Sequence, residues 1–152
     1  MAQIHPIVWI TGQPGAGKST LSRALLAHWQ VLDERAFIVD GDDLRALTQN
    51  VDYSRAGREA NIQRAQDIAQ FLAGQGCRVV VAVVAPYRAL REDFKLRTQV
   101  REVYVHTSKP RGREHFHSED YEQPLEGFVE IDTTTSSPDE SLSELLEKLQ
   151  IP

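Results

Sequence analysis

Gly12-Gln13-Pro14-Gly15-Ala16-Gly17-Lys18-Ser19-Thr20 satisfies G-x-x-x-x-G-K-[ST], and no other stretch limits the fold of this chain as tightly. Such a loop works only where a strand delivers it and a helix leaves it. Its glycines let successive backbone N–H groups turn inward around an anion, and the helix N-terminus adds partial positive charge. Both flanks are present. The apolar run Ile7-Val8-Trp9-Ile10 precedes the loop, and a helical pattern opens near Lys18. At average residue usage the pattern arises by chance in a chain of this length about once in 200 sequences, before the flanks are considered. The stretch is read as a phosphate-binding loop for ATP, with Gly12, Pro14, Gly15, Ala16, Gly17, Lys18, Ser19 and Thr20 around the nucleotide. Lys18 is placed to reach the β- and γ-phosphates and the Ser19 hydroxyl to ligate Mg²⁺.

The rest of the chain alternates between strand and helix patterns. Residues 7–10 form a buried strand, and Leu21, Ala24, Leu25 and His28 mark a helix from Lys18 to Trp29. Ala36–Val39 is a second buried strand ending at Asp40-Gly41-Asp42-Asp43, with a short helix at 44–47 and a turn-rich segment at 50–57. A long helix runs from about Arg58 to Leu72, with Ile62, Ala65, Ala69 and Leu72 on one stripe and Gly74 and Gly76 as its stop. The unbroken apolar run at 78–84 predicts a parallel strand covered on both faces. A helix at 89–97, a strand at 102–106, a long loop at 107–126 and a strand at 128–132 follow. Ser137-Pro138-Asp139-Glu140 is a capping box with proline at the first helical position, and Leu142, Leu145, Leu146 and Leu149 give the closing helix its apolar face. The expectation is an α/β fold of three layers, helices on both faces of a five-stranded parallel sheet, with residues 1–152 as one domain. In such sheets ligands bind beyond the carboxyl ends of the strands.

Composition narrows the partners. The net charge of −5 offers no global field to nucleic acid or anionic membrane, a local basic patch aside; with the phosphate loop, a small-molecule nucleotide substrate is the expectation, and a homodimer is left open. The single cysteine, Cys77, excludes an intrachain disulfide and reads as a small buried residue opening a strand. No basic segment followed by an apolar run opens the chain, and no apolar stretch approaches 18 residues, so a cytoplasmic protein is expected.

The chemistry should sit just after each strand. Asp40 ends the second strand and is expected one strand away from the phosphate loop. A carboxylate there can take a proton from an attacking hydroxyl or, like Asp42, hold Mg²⁺ through water. Arg58 and Asn61, three apart at the start of the long helix, share a face suited to an anionic group and a directional hydrogen bond. Ala85-Pro86-Tyr87-Arg88 ends the third strand, with Arg88 facing either the cleft or solvent.

Taken in order, the phosphate loop, Asp40-Gly41-Asp42-Asp43-Leu44-Arg45, Tyr53-Ser54, Arg58-Glu59-Ala60-Asn61-Ile62-Gln63-Arg64, Ala85-Pro86-Tyr87-Arg88 and Glu102-Val103-Tyr104-Val105 resemble the adenylylsulfate kinases over roughly residues 4 to 106. The resemblance implies a P-loop kinase fold and transfer of phosphate from MgATP to the ribose 3′-hydroxyl of adenylylsulfate, giving PAPS and ADP. It implies that Asp40 is the catalytic base beside Lys18, and that Asp42 is the second acidic residue near metal and substrate. By the same resemblance Arg45, Arg58 and Asn61 are substrate-binding residues. Tyr53 stands where the family has a phenylalanine stacked on the substrate adenine, and stacking survives that change. Tyr121-Glu122-Gln123-Pro124 matches a family Y-E-x-P element, with Phe116 upstream as the second half of an adenine sandwich.

The departures are specific. Ala85 replaces a family serine, and the lid segment R-D-x-K-G-L-Y is absent, with the shorter Thr107–Phe116 in its place. Lys109, Arg111 and Arg113 supply charge there either to the phosphates or only to solvent, and His115-x-His117 reads as a surface pair rather than a metal site. Two other functions fit the altered cover: phosphate transfer to another nucleotide-linked or nucleic-acid hydroxyl, and a nucleotide-binding module without catalysis.

Overall fold

The computed structural model describes residues 5–152. Five strands, β1 (Ile7–Thr11), β2 (Ala36–Asp40), β3 (Arg78–Ala82), β4 (Val100–His106) and β5 (Phe128–Asp132), pair in parallel in the order β2-β3-β1-β4-β5. The helices are α1 (Lys18–Val31), α2 (Gly41–Thr48), α3 (Arg55–Gly74), α4 (Arg88–Arg97) and α5 (Pro138–Leu149), and a single 3₁₀ turn lies at Glu114–Phe116.

Alternation along β1 divides the interior into two cores. Ile7 and Trp9 pack with Val79, Val81, Ile62, Ala65 and Phe94 beneath α3 and α4. Val8 and Ile10 pack with Val80, Val103, Leu21, Leu25 and Leu145 beneath α1 and α5. The connection leaving β1 runs toward β2 on one face, and those leaving β2 and β3 run the other way on the opposite face, as right-handed crossovers require. The chain therefore parts at the carboxyl ends of β1 and β3, which opens a crevice there.

Four details differ from the sequence expectation. β2 is an edge strand: only Val39 is buried, and Phe37 is half exposed. α2 begins at Gly41 rather than 44, because the Asp40 carboxylate accepts from the Asp42 and Asp43 amides and caps it. α3 begins at Arg55, capped by Ser54, and takes Gly57 into its first turn. A Cβ at Gly57 would lie 2.1 Å from the Asp52 carbonyl oxygen, so glycine there lets the 50–53 turn sit against the helix. β3 stops at Ala82, since the backbone turns away through Ala85, which holds φ at +46°. The capping box at Ser137 and Glu140 forms as expected, and Cys77 is buried and unpaired.

The return from β4 to β5 has no α-helix, only the 3₁₀ turn. A parallel pair still needs a crossover, and residues 121–127 supply it as an extended strap. Basic side chains of α4 hold it by its carbonyls: Arg88 Nε donates to Gln123 O (2.7 Å), Arg91 Nη2 to Glu122 O (2.5 Å) and Lys95 Nζ to Glu126 O (3.3 Å). Beneath the strap, Arg91 and Lys95 both bond the buried Glu102 carboxylate, at 2.7 and 2.8 Å.

Candidate active site

The phosphate loop leaves β1, the central strand, and closes on itself before α1. Ala16 N donates to Gln13 O at 3.1 Å, and Gly17 enters the helix with φ at +105°. The loop needs glycine at 12, where a Cβ would lie 2.2 Å from the Val105 carbonyl oxygen of β4. Neither a side-chain cap nor an acidic residue serves the first turn of α1, so its N–H groups are left for an anion.

Lys18 is only 8% exposed, and its Nζ donates to Gln13 O at 3.0 Å. Burial lowers its pKa to about 8, Asp42 and Asp40 oppose that shift, and Arg113 adds to it. A cation held this way is short of counter-charge and suited to a phosphate. Ser19 Oγ donates to Asp40 Oδ2 at 2.8 Å, which brings the two residues expected near a metal together. Asp42 is exposed at the mouth of the same crevice.

The crevice measures about 650 Å³. Pro14, Gly15, Gly17, Lys18, Ser19 and Thr20 line it on the phosphate-loop side. Asp40, Asp42, Arg45, Tyr53, Arg58 and Asn61 line it opposite, with Phe116 at the rim. Gly12 and Ala16 stand behind the loop; the Ala16 carbonyl accepts from Thr133 Oγ1 at 2.7 Å. Tyr53 and Phe116 are both exposed, at 62% and 57%, so neither ring is committed to the core.

Arg45 braces the wall as well as facing it. Its Nη1 donates to Asn50 O, Asn50 Oδ1 and Asp52 O at 3.1, 3.3 and 3.0 Å, and its guanidinium lies 4.0 Å over the Tyr53 ring. Arg58 Nη1 donates to Ser118 Oγ at 2.8 Å and to Asp120 Oδ1 at 3.1 Å. Asn61 is buried; its Nδ2 donates to Gly41 O at 3.3 Å while its Oδ1 has no partner in the protein.

The basic residues of the 107–116 segment separate in space. Arg111 and Arg113 reach the crevice, packing their β-carbons against the Gly15 position. Lys109 lies outside it, and Arg88 is spent on the strap. His117 Nε2 meets the Pro14 carbonyl at 3.2 Å, and the His115 ring packs on Phe116. Sequence reasoning missed Gln13, Gly57, Ser118 and the Thr11–Tyr121 contact at 2.9 Å. Burial pushes the Tyr121 hydroxyl up to about 12, so it stays protonated.

A parallel sheet carrying a phosphate loop on its central strand, with the Asp40 carboxylate across the crevice at the end of β2, beyond β3 rather than on the adjacent strand, defines a P-loop phosphotransferase. The sequence pattern of the adenylylsulphate kinases matches residues 5–143. The adenylyl-sulfate kinase of Burkholderia ambifaria is 30% identical over 168 aligned positions, covering 95% of this chain and 92% of the relative. That of Pseudomonas aeruginosa is 32% identical, over 95% and 85%. The structure of the Mycobacterium tuberculosis APS kinase in complex with AMPPNP and APS superposes with a TM-score of 0.81 at 27% identity, over 95% of this chain and 96% of that one. This chain belongs to the adenylylsulphate kinase family. Its 152 residues fall short of the 168 aligned positions, so the Burkholderia relative carries segments that this chain lacks.

Proposed function

We propose that this chain, as one kinase domain over residues 1–152, transfers the γ-phosphate of ATP to the 3′-hydroxyl of adenylylsulfate, yielding PAPS and ADP. One observation carries the reading: the phosphate loop after β1, Asp40 at the end of β2 and the Arg58–Asn61 pair on α3 face a single crevice, on either side of the carboxyl end of β3. In this reading the loop amides and Lys18 hold the ATP phosphates, and Asp40 orients the acceptor hydroxyl and takes its proton. Asn61 Oδ1, buried without a partner, suits a donor on the acceptor, and Arg58 suits its anionic group. Tyr53 and Phe116 flank the acceptor base, with Arg45 holding Tyr53 in place and Asp42 at the mouth. The adjacent oxygens of Ser19 and Asp40 suit Mg²⁺, which binds few protein ligands and keeps several waters. When bound, it would neutralise charge on the β- and γ-phosphates. The buried, lone cysteine agrees with a cytoplasmic setting.

Transfer of label from γ-labelled ATP tests this directly, across adenylylsulfate, other nucleotide-linked hydroxyls and single-stranded nucleic acid. Labelled PAPS is the expected product. Label on another acceptor alone, or tight ATP binding with no transfer at all, would overturn the proposal.

A further inference from the structure

The main chain of Gln13 belongs to the phosphate side of the crevice, where its carbonyl accepts from Lys18 Nζ and Ala16 N. Its side chain belongs to the other side. Gln13 Nε2 donates to Ser118 O at 2.8 Å, and Ser118 N donates to Gln13 Oε1 at 2.9 Å. One amide thus closes a two-bond pair with one peptide unit, so the 107–120 segment cannot shift from the loop without breaking both bonds together. Ser118 is 5% exposed, and its hydroxyl accepts from Arg58 Nη1 while donating to Asp120 Oδ1. Asp120 also takes Arg58 directly, and Ser118 lowers its carboxyl pKa first of all its neighbours.

We infer that Gln13 and Ser118 form a positioning pair that sets the Arg58 guanidinium relative to the phosphate loop, fixing the two halves of the crevice at one spacing. The inference rests on the reading of Arg58 as an acceptor-binding residue. Acceptor binding depends on that spacing, because Arg58 must meet the anionic group of the acceptor while the loop holds the ATP phosphates. Ser19 ties the loop to Asp40, and Gln13 ties it to the 107–120 segment that holds Arg58. The 107–120 segment is then a fixed cover rather than a lid that must close on each turnover.

Gln13→Met keeps the volume and removes both hydrogen bonds, Gln13→Glu keeps only the acceptor, and Ser118→Ala removes the hydroxyl but leaves the backbone pair. Steady-state kinetics with ATP and adenylylsulfate, and hydrogen exchange of residues 112–120 without substrate, report on all three. Gln13→Met should raise the acceptor KM about tenfold with the ATP KM within about twofold, and should speed exchange in 112–120 about tenfold. Gln13→Glu should fall between parent and Gln13→Met. Ser118→Ala should raise the acceptor KM with little change in exchange, and its effect should add poorly to that of Gln13→Met. An unchanged acceptor KM, or an ATP KM that rises equally, overturns the positioning role. If the parent transfers nothing to adenylylsulfate, the acceptor assignment fails instead. Exchange then decides the pair alone, and unaltered protection in Gln13→Met sinks it.

Discussion

Ser19 Oγ lies 2.8 Å from Asp40 Oδ2, so the first turn of α1 and the cap of α2 meet in one hydrogen bond. Asp40 therefore has a structural duty, through the Asp42 and Asp43 amides, as well as a proposed chemical one. The duties separate by substitution. Asparagine caps a helix about as well as aspartate but cannot serve as a base. Asp40→Asn should keep its melting temperature within a few degrees and lose about 10²-fold or more in kcat. Near-normal transfer by Asp40→Asn, beside an inactive Lys18→Ala, would remove Asp40 as the base.

Lys18 should make the free protein pH-sensitive in an unusual direction. Its folded pKa, about 8, is below the ordinary 10.5, so the unfolded chain holds more protons between those values. Stability contributed at this site is thus lowest below pH 8 and rises toward pH 10.5. The full shift corresponds to about 3 kcal/mol as an upper bound. Lys18→Met should be the more stable protein at pH 7 by denaturant titration, with its advantage shrinking across that window. ATP binding at pH 8.5 should take up protons, readable by calorimetry in buffers of different ionisation enthalpy.

Arg113 and Lys109 lie four residues apart but on different sides of the cover. Arg113→Ala should raise the ATP KM several-fold, more at low salt than at high salt, since its charge faces the phosphate loop. Lys109→Ala should leave the ATP KM where it is. Equal effects from both would mean that the segment acts only through its net charge.

Gly57→Ala should disturb the acceptor wall from behind. The added methyl would meet the Asp52 carbonyl at 2.1 Å and push the turn that carries Tyr53 and is gripped by Arg45. A loss of about 1–3 kcal/mol is expected, with a raised acceptor KM and an unchanged ATP KM.

Glu102→Ala should be the most destabilising of these changes. Arg91 and Lys95 would remain beneath the strap without their shared carboxylate, at a cost of about 3–5 kcal/mol. Thermal unfolding measures it directly.

The sequence reveals the sheet because its strands are apolar runs and its helices carry periodic faces. Ile7–Ile10, the 78–84 run and the Ser137 cap needed no tertiary knowledge. The phosphate side of the crevice is equally legible, being continuous in the chain. The acceptor side is not. Ser118 is an ordinary serine in a polar loop until Gln13, 105 positions away, meets its backbone. Arg91 looks like a solvated helix residue, and only the fold places Glu102 and the Ala85 carbonyl against it. β2 reads as buried because its residues are apolar, but hydrophobicity alone does not say which strand stands at the edge.

The strap at 121–127 gives the cover two moorings. One end leaves β4 at the sheet, and the other is tied down by the α4 cations. What lies between is a span of fixed length, and its length decides how far Phe116 can reach over an acceptor. A family with this plan could change what it accepts by lengthening or trimming that span, while the sheet, the phosphate loop and both moorings stayed as they were. In this chain the span between the moorings is residues 107–120, and the Phe116 ring at the rim of the crevice rides on it.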